Sequence, residues 1–118
     1  MADVEPYTDF VAPGTIRYRW DGLSGGSLGT GKKVSLNGGI GSLTFQAQAT
    51  NWSSLSLSLQ GSMNGVDFTT LTTPTGGAAI FTANGLVEIE QKPLYVKIAT
   101  TTGDTAAVAN CILLQRGW

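Results

Sequence analysis

The chain has 118 residues, 7 basic and 8 acidic side chains and a formal net charge of -1, with charged residues at 13% of the total. That length suits one domain with a core large enough to need no stabilising metal or disulfide framework, and the balanced charge argues against nucleic acid as a partner. It contains no histidine and one cysteine, Cys111. The usual general base near neutral pH, the commonest transition-metal ligand and any intrachain disulfide are therefore missing.

The N-terminus, MADVEPYTDF, places acids where an export signal needs a basic and then an apolar stretch. No apolar run is long enough to cross a membrane, so the expected protein is neither exported by that route nor membrane-spanning. Residues 1–33 differ in composition from the rest. They carry Pro6 and Pro13, the aromatics Tyr7, Phe10, Tyr18 and Trp20, and the glycine-rich stretch Gly22 to Gly31. This pattern predicts an extended N-terminal arm with a flexible connection, and a domain over residues 34–118. Within the arm, Ile16, Tyr18 and Trp20 alternate with Arg17 and Arg19, so Thr15 to Trp20 reads equally as the first strand of that domain.

The run from Gly26 to Lys33 comes within one residue of a phosphate-binding loop. Lys33 stands where that motif needs the hydroxyl that holds magnesium, and Val34-Ser35-Leu36-Asn37-Gly38-Gly39 cannot supply the following helix. A flexible linker is the better reading. Further on, Leu43, Phe45 and Ala47 alternate with Thr44 and Gln46, and Leu55, Leu57 and Leu59 with Ser56 and Ser58, which predicts two half-buried strands. Asn51-Trp52-Ser53 fits a glycosylation pattern that has no meaning without export. Trp52 and Phe68 are candidate sugar-stacking aromatics; the competing role for Trp52 is to cap the core at a strand end.

Turn chemistry punctuates the chain at Asn37-Gly38-Gly39, Asn64-Gly65, Gly76-Gly77, Asn84-Gly85 and Gly103-Asp104. Asn-Gly favours tight hairpins because both central residues need positive φ. Asp67, the only charge between Val34 and Val87, is expected to stabilise the turn before it. Val87 and Ile89 alternate with Glu88 and Glu90, and Leu94, Val96 and Ile98 with Tyr95 and Lys97. With Gln91-Lys92-Pro93 between them, they predict an antiparallel hairpin whose outer face pairs acids with lysines. Val108 to Leu114 is nearly all apolar and reads as a strand covered on both faces or as a short helix. Cys111 within it is expected to be a buried hydrophobe.

These elements predict an all-β chain, an antiparallel β-sandwich of jelly-roll type with an extended N-terminal arm. No acid, base and nucleophile set can be assembled, and no cofactor or metal ligand set is spaced for binding, so a non-enzymatic role is expected. The charge-poor region predicts association with itself. Tyr7, Phe10, Tyr18, Trp20, Arg17 and Arg19 are of the types that dominate binding hot spots, and Trp118 at the other terminus needs something to dock on. Together they are the candidate interface residues.

The run Leu59-Gln60-Gly61-Ser62-Met63-Asn64-Gly65-Val66-Asp67-Phe68-Thr69-Thr70-Leu71, followed by Pro93-Leu94-Tyr95-Val96-Lys97-Ile98 and the apolar last strand, resembles small β-sandwich proteins of tailed-bacteriophage particles. In that family a strand ends in Gly-Ser-x-Asn/Asp-Gly, an aromatic and then Leu begin the next, and a Pro-x-Tyr-Val-Arg/Lys strand follows. The resemblance implies a virion structural role, with a head decoration or cement protein foremost and a neck or tail subunit as the alternative. It implies the major capsid protein as partner, a homo-oligomer with a trimer at local threefold positions favoured, and a place on the capsid exterior after synthesis in the host cytoplasm. Neither nucleic acid nor a membrane is an expected partner. The long aromatic arm and Lys97, where arginine is frequent, depart from the pattern. From a different class, a carbohydrate-binding β-sandwich module is the second reading.

Overall fold

The structure, a computed structural model, describes residues 7–24, 31–36, 41–49, 52, 55–100 and 108–116. Its elements are β1 (Tyr7–Ala12), β2 (Thr15–Ser24), β3 (Gly31–Ser35), β4 (Ser42–Ala49), β5 (Leu57–Ser62), β6 (Thr69–Thr70), β7 (Ile80–Phe81), β8 (Gly85–Ile89), β9 (Tyr95–Thr100) and β10 (Val108–Arg116). They form two antiparallel sheets, one ordered β1-β2-β10-β4-β8 and the other β3-β9-β5-β6, with β7 also pairing with β5. With the β1 edge set aside, successive strands from β2 to β5 alternate between sheets and the late strands slot between the early ones. This is the strand order of a jelly roll.

Period-two patterning fixes which side chains enter the space between the sheets. On β2, Ile16, Tyr18 and Trp20 point in; on β4, Leu43, Phe45 and Ala47; on β5, Leu57 and Leu59; on β9, Val96 and Ile98; on β10, Ala109, Cys111 and Leu113. The polar tips of the buried aromatics are satisfied. Tyr18 Oη donates to Gln115 Oε1 at 3.0 Å, and Trp20 Nε1 donates to the Lys32 carbonyl at 2.9 Å, tying the first sheet to the start of β3. Burial also pushes the Cys111 thiol pKa well above its ordinary range, because a thiolate would have no solvation there.

Several expectations are corrected. No N-terminal arm exists over residues 7–24: β1 and β2 are a hairpin integrated into the first sheet, and the boundary expected near Lys33 falls inside β3. Pro13-Gly14 makes the β1–β2 turn, with Gly14 at φ 74° in the region that favours glycine. Gly22, at φ 82°, sits where the pairing of β2 with β10 slips by a residue, and its amide donates to Asn110 Oδ1 at 3.0 Å. Aromatics, prolines and glycines give the segment the composition of a loose arm, but the alternation of β2 buries Ile16, Tyr18 and Trp20 between the sheets and so holds it in the fold. The linker expected over Gly22 to Lys33 falls partly on residues 25–30, outside the described residues.

Strands β8 and β9 do not form a hairpin. Leu43 pairs with Ile89 and Phe45 with Val87 in the first sheet, while β9 lies between β3 and β5 in the second. Residues 90–94 therefore cross from one sheet to the other, and Lys92 Nζ donates to the Glu90 carbonyl rather than closing a cross-strand ion pair. Alternation identifies a half-buried strand but not its partner. Strand β10, read as covered on both faces, buries only one within this chain, and Ile112 and Leu114 on the other are half-buried. The Asn64-Gly65 pair does not make a two-residue turn either; it lies in a six-residue loop, 63–68, between β5 and β6.

Candidate interaction surfaces

The predicted interface residues separate onto opposite faces of the first sheet. Tyr18 and Trp20 are fully buried in the core and present nothing to a partner, which corrects their assignment. Arg17, Arg19 and Tyr7 lie on the outward face: Arg17 pairs with Asp9 at 3.0 Å, and the Arg19 guanidinium lies 5.2 Å from the centre of the Tyr7 ring. Arg19 Nε sits 3.2 Å from Asp21 Oδ2, yet its N–H is not aimed at that oxygen and the buried atom makes no hydrogen bond. The contact is an ion pair only. The backbone of Phe10 pairs with Ile16; its side chain, like Trp118, lies outside the described residues.

A second surface, not anticipated as a site, lies at one end of the sandwich. Loop 63–68 is held by a dense polar network. Ser62 Oγ accepts from the amides of Asn64 (3.1 Å) and Gly65 (2.9 Å) and donates to Asn64 Oδ1 (2.9 Å). Asn64 Oδ1 in turn accepts from the amides of Val66 (2.8 Å) and Asp67 (2.9 Å), and Asn64 Nδ2 donates to Asp67 Oδ2 (3.0 Å). Asp67 thus serves the turn as expected, although Asn64 is its hub. Lys33 Nζ donates to the Gly65 carbonyl at 2.9 Å and stands 5.8 Å from the Tyr95 ring centre. Gly65 takes φ 77°, so a side chain there is strained.

This anchored loop presents apolar side chains to water. Met63 is 67% and Val66 78% exposed. Because Ser62 pairs with Tyr95, Met63 comes beside Leu94, which is also exposed. Between loop 63–68 and the crossing segment runs a cleft of about 390 Å³, with Met63, Asp67, Thr69, Leu71, Lys92 and Pro93 on its walls. Apolar groups carried beside a recess on a backbone already held by hydrogen bonds can anchor a protein interface, since that backbone loses little conformational freedom on binding. The signal for this surface was present in Ser-Met-Asn-Gly-Val-Asp, where side chains able to cap a loop flank two apolar residues.

Both aromatics of the carbohydrate reading are half-buried and have partners within the chain. Trp52 is half-buried against the core and donates from Nε1 to Asn84 Oδ1 at 2.8 Å, as the core-capping alternative required. Phe68 is half-buried with Lys97 Nζ 4.5 Å from its ring centre. Among the described residues no group of three His, Cys, Asp or Glu side chains could hold a metal ion. No protein-family profile, curated protein or solved structure matches the chain.

Proposed function

We propose that this is a non-enzymatic structural protein of a virus particle, synthesised in the host cytoplasm and seated on the outer capsid lattice, to which it attaches through the loop 63–68 end of the sandwich. The observation that carries the proposal is the pre-formed display of Met63 and Val66 on a loop fixed by the Ser62 and Asn64 network. Two further features support it. The strand order is a jelly roll, an architecture common in viral capsid domains though also in lectins, and fold alone does not choose between them. The loop that displays Met63 and Val66 also lies within the segment that resembles phage virion proteins. The partial burial of Trp52 and Phe68, each with a partner within the chain, weighs against the lectin alternative.

The test is co-sedimentation with particles of the encoding virus assembled without this protein. The wild-type chain should bind at a fixed ratio to the major capsid protein. A Met63→Asp, Val66→Asp double variant should melt like the wild type and bind at least tenfold more weakly, about 1.4 kcal/mol. Undiminished binding by that variant moves the contact elsewhere; failure of the wild type to bind removes the virion reading.

A further inference from the structure

We propose that Asn64 is a site of spontaneous deamidation whose rate is set by Ser62, so that the loop keeps its form only while the Gly65 amide stays bonded to the Ser62 hydroxyl. Asparagine followed by glycine can close on itself. The nitrogen of the following residue gives up its proton to solvent and attacks the side-chain Cγ, the bond from Cγ to Nδ2 breaks, and Nδ2 takes a proton and leaves as ammonia. Water then opens the cyclic imide. Cleavage between Cγ and the nitrogen yields aspartate. Cleavage between the backbone carbonyl carbon and the nitrogen yields isoaspartate, in which the main chain runs through the former side chain. Water is consumed and ammonia released in equal amounts, with no oxidant and no cofactor.

Each reacting group is held by the fold. The nucleophile, Gly65 N, donates to Ser62 Oγ at 2.9 Å and lies in a buried residue. The leaving group, Asn64 Nδ2, donates to Asp67 Oδ2 at 3.0 Å. The carbonyl oxygen, Asn64 Oδ1, accepts from the Val66 and Asp67 amides at 2.8 and 2.9 Å and from Ser62 Oγ at 2.9 Å. These contacts act in opposite directions. Donors on Oδ1 draw electron density from Cγ and stabilise the negative charge that attack places on that oxygen, as an oxyanion hole does. The electrophile is therefore primed while the nucleophile is withheld, its N–H committed to Ser62. Asn64 itself is exposed, so water and base reach the side chain once the amide is released.

Asn84-Gly85 is the internal comparison. Asn84 Oδ1 also accepts N–H groups at 2.8 Å, from Ala49 and Trp52, but Gly85 lies in β8 and pairs with Ala47. Freeing that nitrogen means parting β8 from β4, whereas freeing Gly65 rearranges only the loop 63–68. Loops open at the low end of the range of local opening energies and paired strands nearer the global value, so Asn64 should react first. The product undoes the loop. A carboxylate at position 64 meets Asp67 Oδ2 where an amide donor stood, and isoaspartate lengthens the main chain between Met63 and Gly65. Met63 and Val66 then lose the frame that displays them. The inference concerns the loop itself and holds whatever that loop contacts.

Full-length protein incubated in warm, mildly alkaline buffer, with peptide mass mapping and enzymatic detection of isoaspartate, tests it. Conversion at Asn64 should be slower by about tenfold or more than in the free peptide Ser-Met-Asn-Gly-Val-Asp, and faster than at Asn84. Ser62→Ala should accelerate it by about tenfold, through the loss of its hydrogen bonds to the loop, and leave Asn84 unchanged. Lys33→Met, at an exposed position, removes the bond from Nζ to the Gly65 carbonyl and should give a smaller rise, which decides the matter if Ser62→Ala fails to fold. In both variants the Gly65 amide should exchange its hydrogen faster, in step with the reaction. Conversion of Asn64 as fast as in the free peptide, conversion of Asn84 first, or folded variants that leave the Asn64 rate at the wild-type value would each overturn the proposal.

Discussion

Replacing Trp20 by alanine distinguishes a strand of the sandwich from an arm that grips a partner. The indole is fully buried between the sheets and its Nε1 donates to the Lys32 carbonyl at 2.9 Å. Truncating such a side chain costs about 3–5 kcal/mol through lost transfer energy and the cavity left behind, with a carbonyl also deprived of its donor. A domain of this size has about 5–15 kcal/mol in total, so the variant should lose about a fifth of its stability or more. Arg17→Ala, on the opposite face of the same strand, removes only a half-exposed ion pair with Asp9 and should cost no more than about 1 kcal/mol. Urea titration followed by circular dichroism measures both. If Trp20→Ala unfolds at the wild-type midpoint, residues 15–20 are not part of the core and the order β1-β2-β10-β4-β8 is wrong.

Asn84 Oδ1 accepts from both the Ala49 amide and Trp52 Nε1 at 2.8 Å, so Asn84→Ala should lower stability by about 1–3 kcal/mol, whereas Asn84→Asp keeps the acceptor and should retain most of it; thermal melts compare the two. A Cβ added at Gly61 would fall 2.6 Å from Pro93 Cγ and 2.8 Å from Leu71 Cδ2, so Gly61→Ala should destabilise by about 1–3 kcal/mol, read from the urea midpoint. Cys111 should react with a thiol reagent at pH 8 only as fast as the protein opens. Its pKa is raised in the folded state, so the unfolded chain alone releases a proton as pH passes the ordinary thiol value near 8.5. The contribution of this group is therefore whole below that pH and declines above it, a dependence that Cys111→Ala should remove.

The alternation in Thr15 to Trp20, Leu43 to Ala47 and Leu55 to Leu59 was sufficient to find three strands and their buried faces, because burial on one side of a sheet imposes a period of two whatever the partner strand. Pairing was not legible for the same reason. Val87 and Ile89 satisfy their pattern equally well beside β9 or beside β4, and only the packing of the whole chain selects β4. Pro13-Gly14 is a readable turn signal between β1 and β2, and the aromatic content of the segment masks it. The loop surface is only partly legible: Ser-Met-Asn-Gly-Val-Asp contains side chains able to cap a loop, but that Ser62 and Asn64 bond the loop's own amides is seen only in the fold.

The position of β10 between β2 and β4 has a consequence for how the molecule is made. Tyr18 on β2 is bonded to Gln115, 97 residues later, so the first sheet has no centre until nearly the whole described chain has been synthesised. At about 5–20 residues per second, β2 spends roughly 5–20 s with its apolar face uncovered and only β1 of its two sheet neighbours present. Folding dominated by such distant pairings is slow, and the waiting segments expose unpaired edges. Expression at lower temperature or with chaperones that hold extended chains should accordingly raise the soluble yield, whereas a circular permutant that placed β10 ahead of β1 would leave only β1 and its connections between β10 and β2 along the chain.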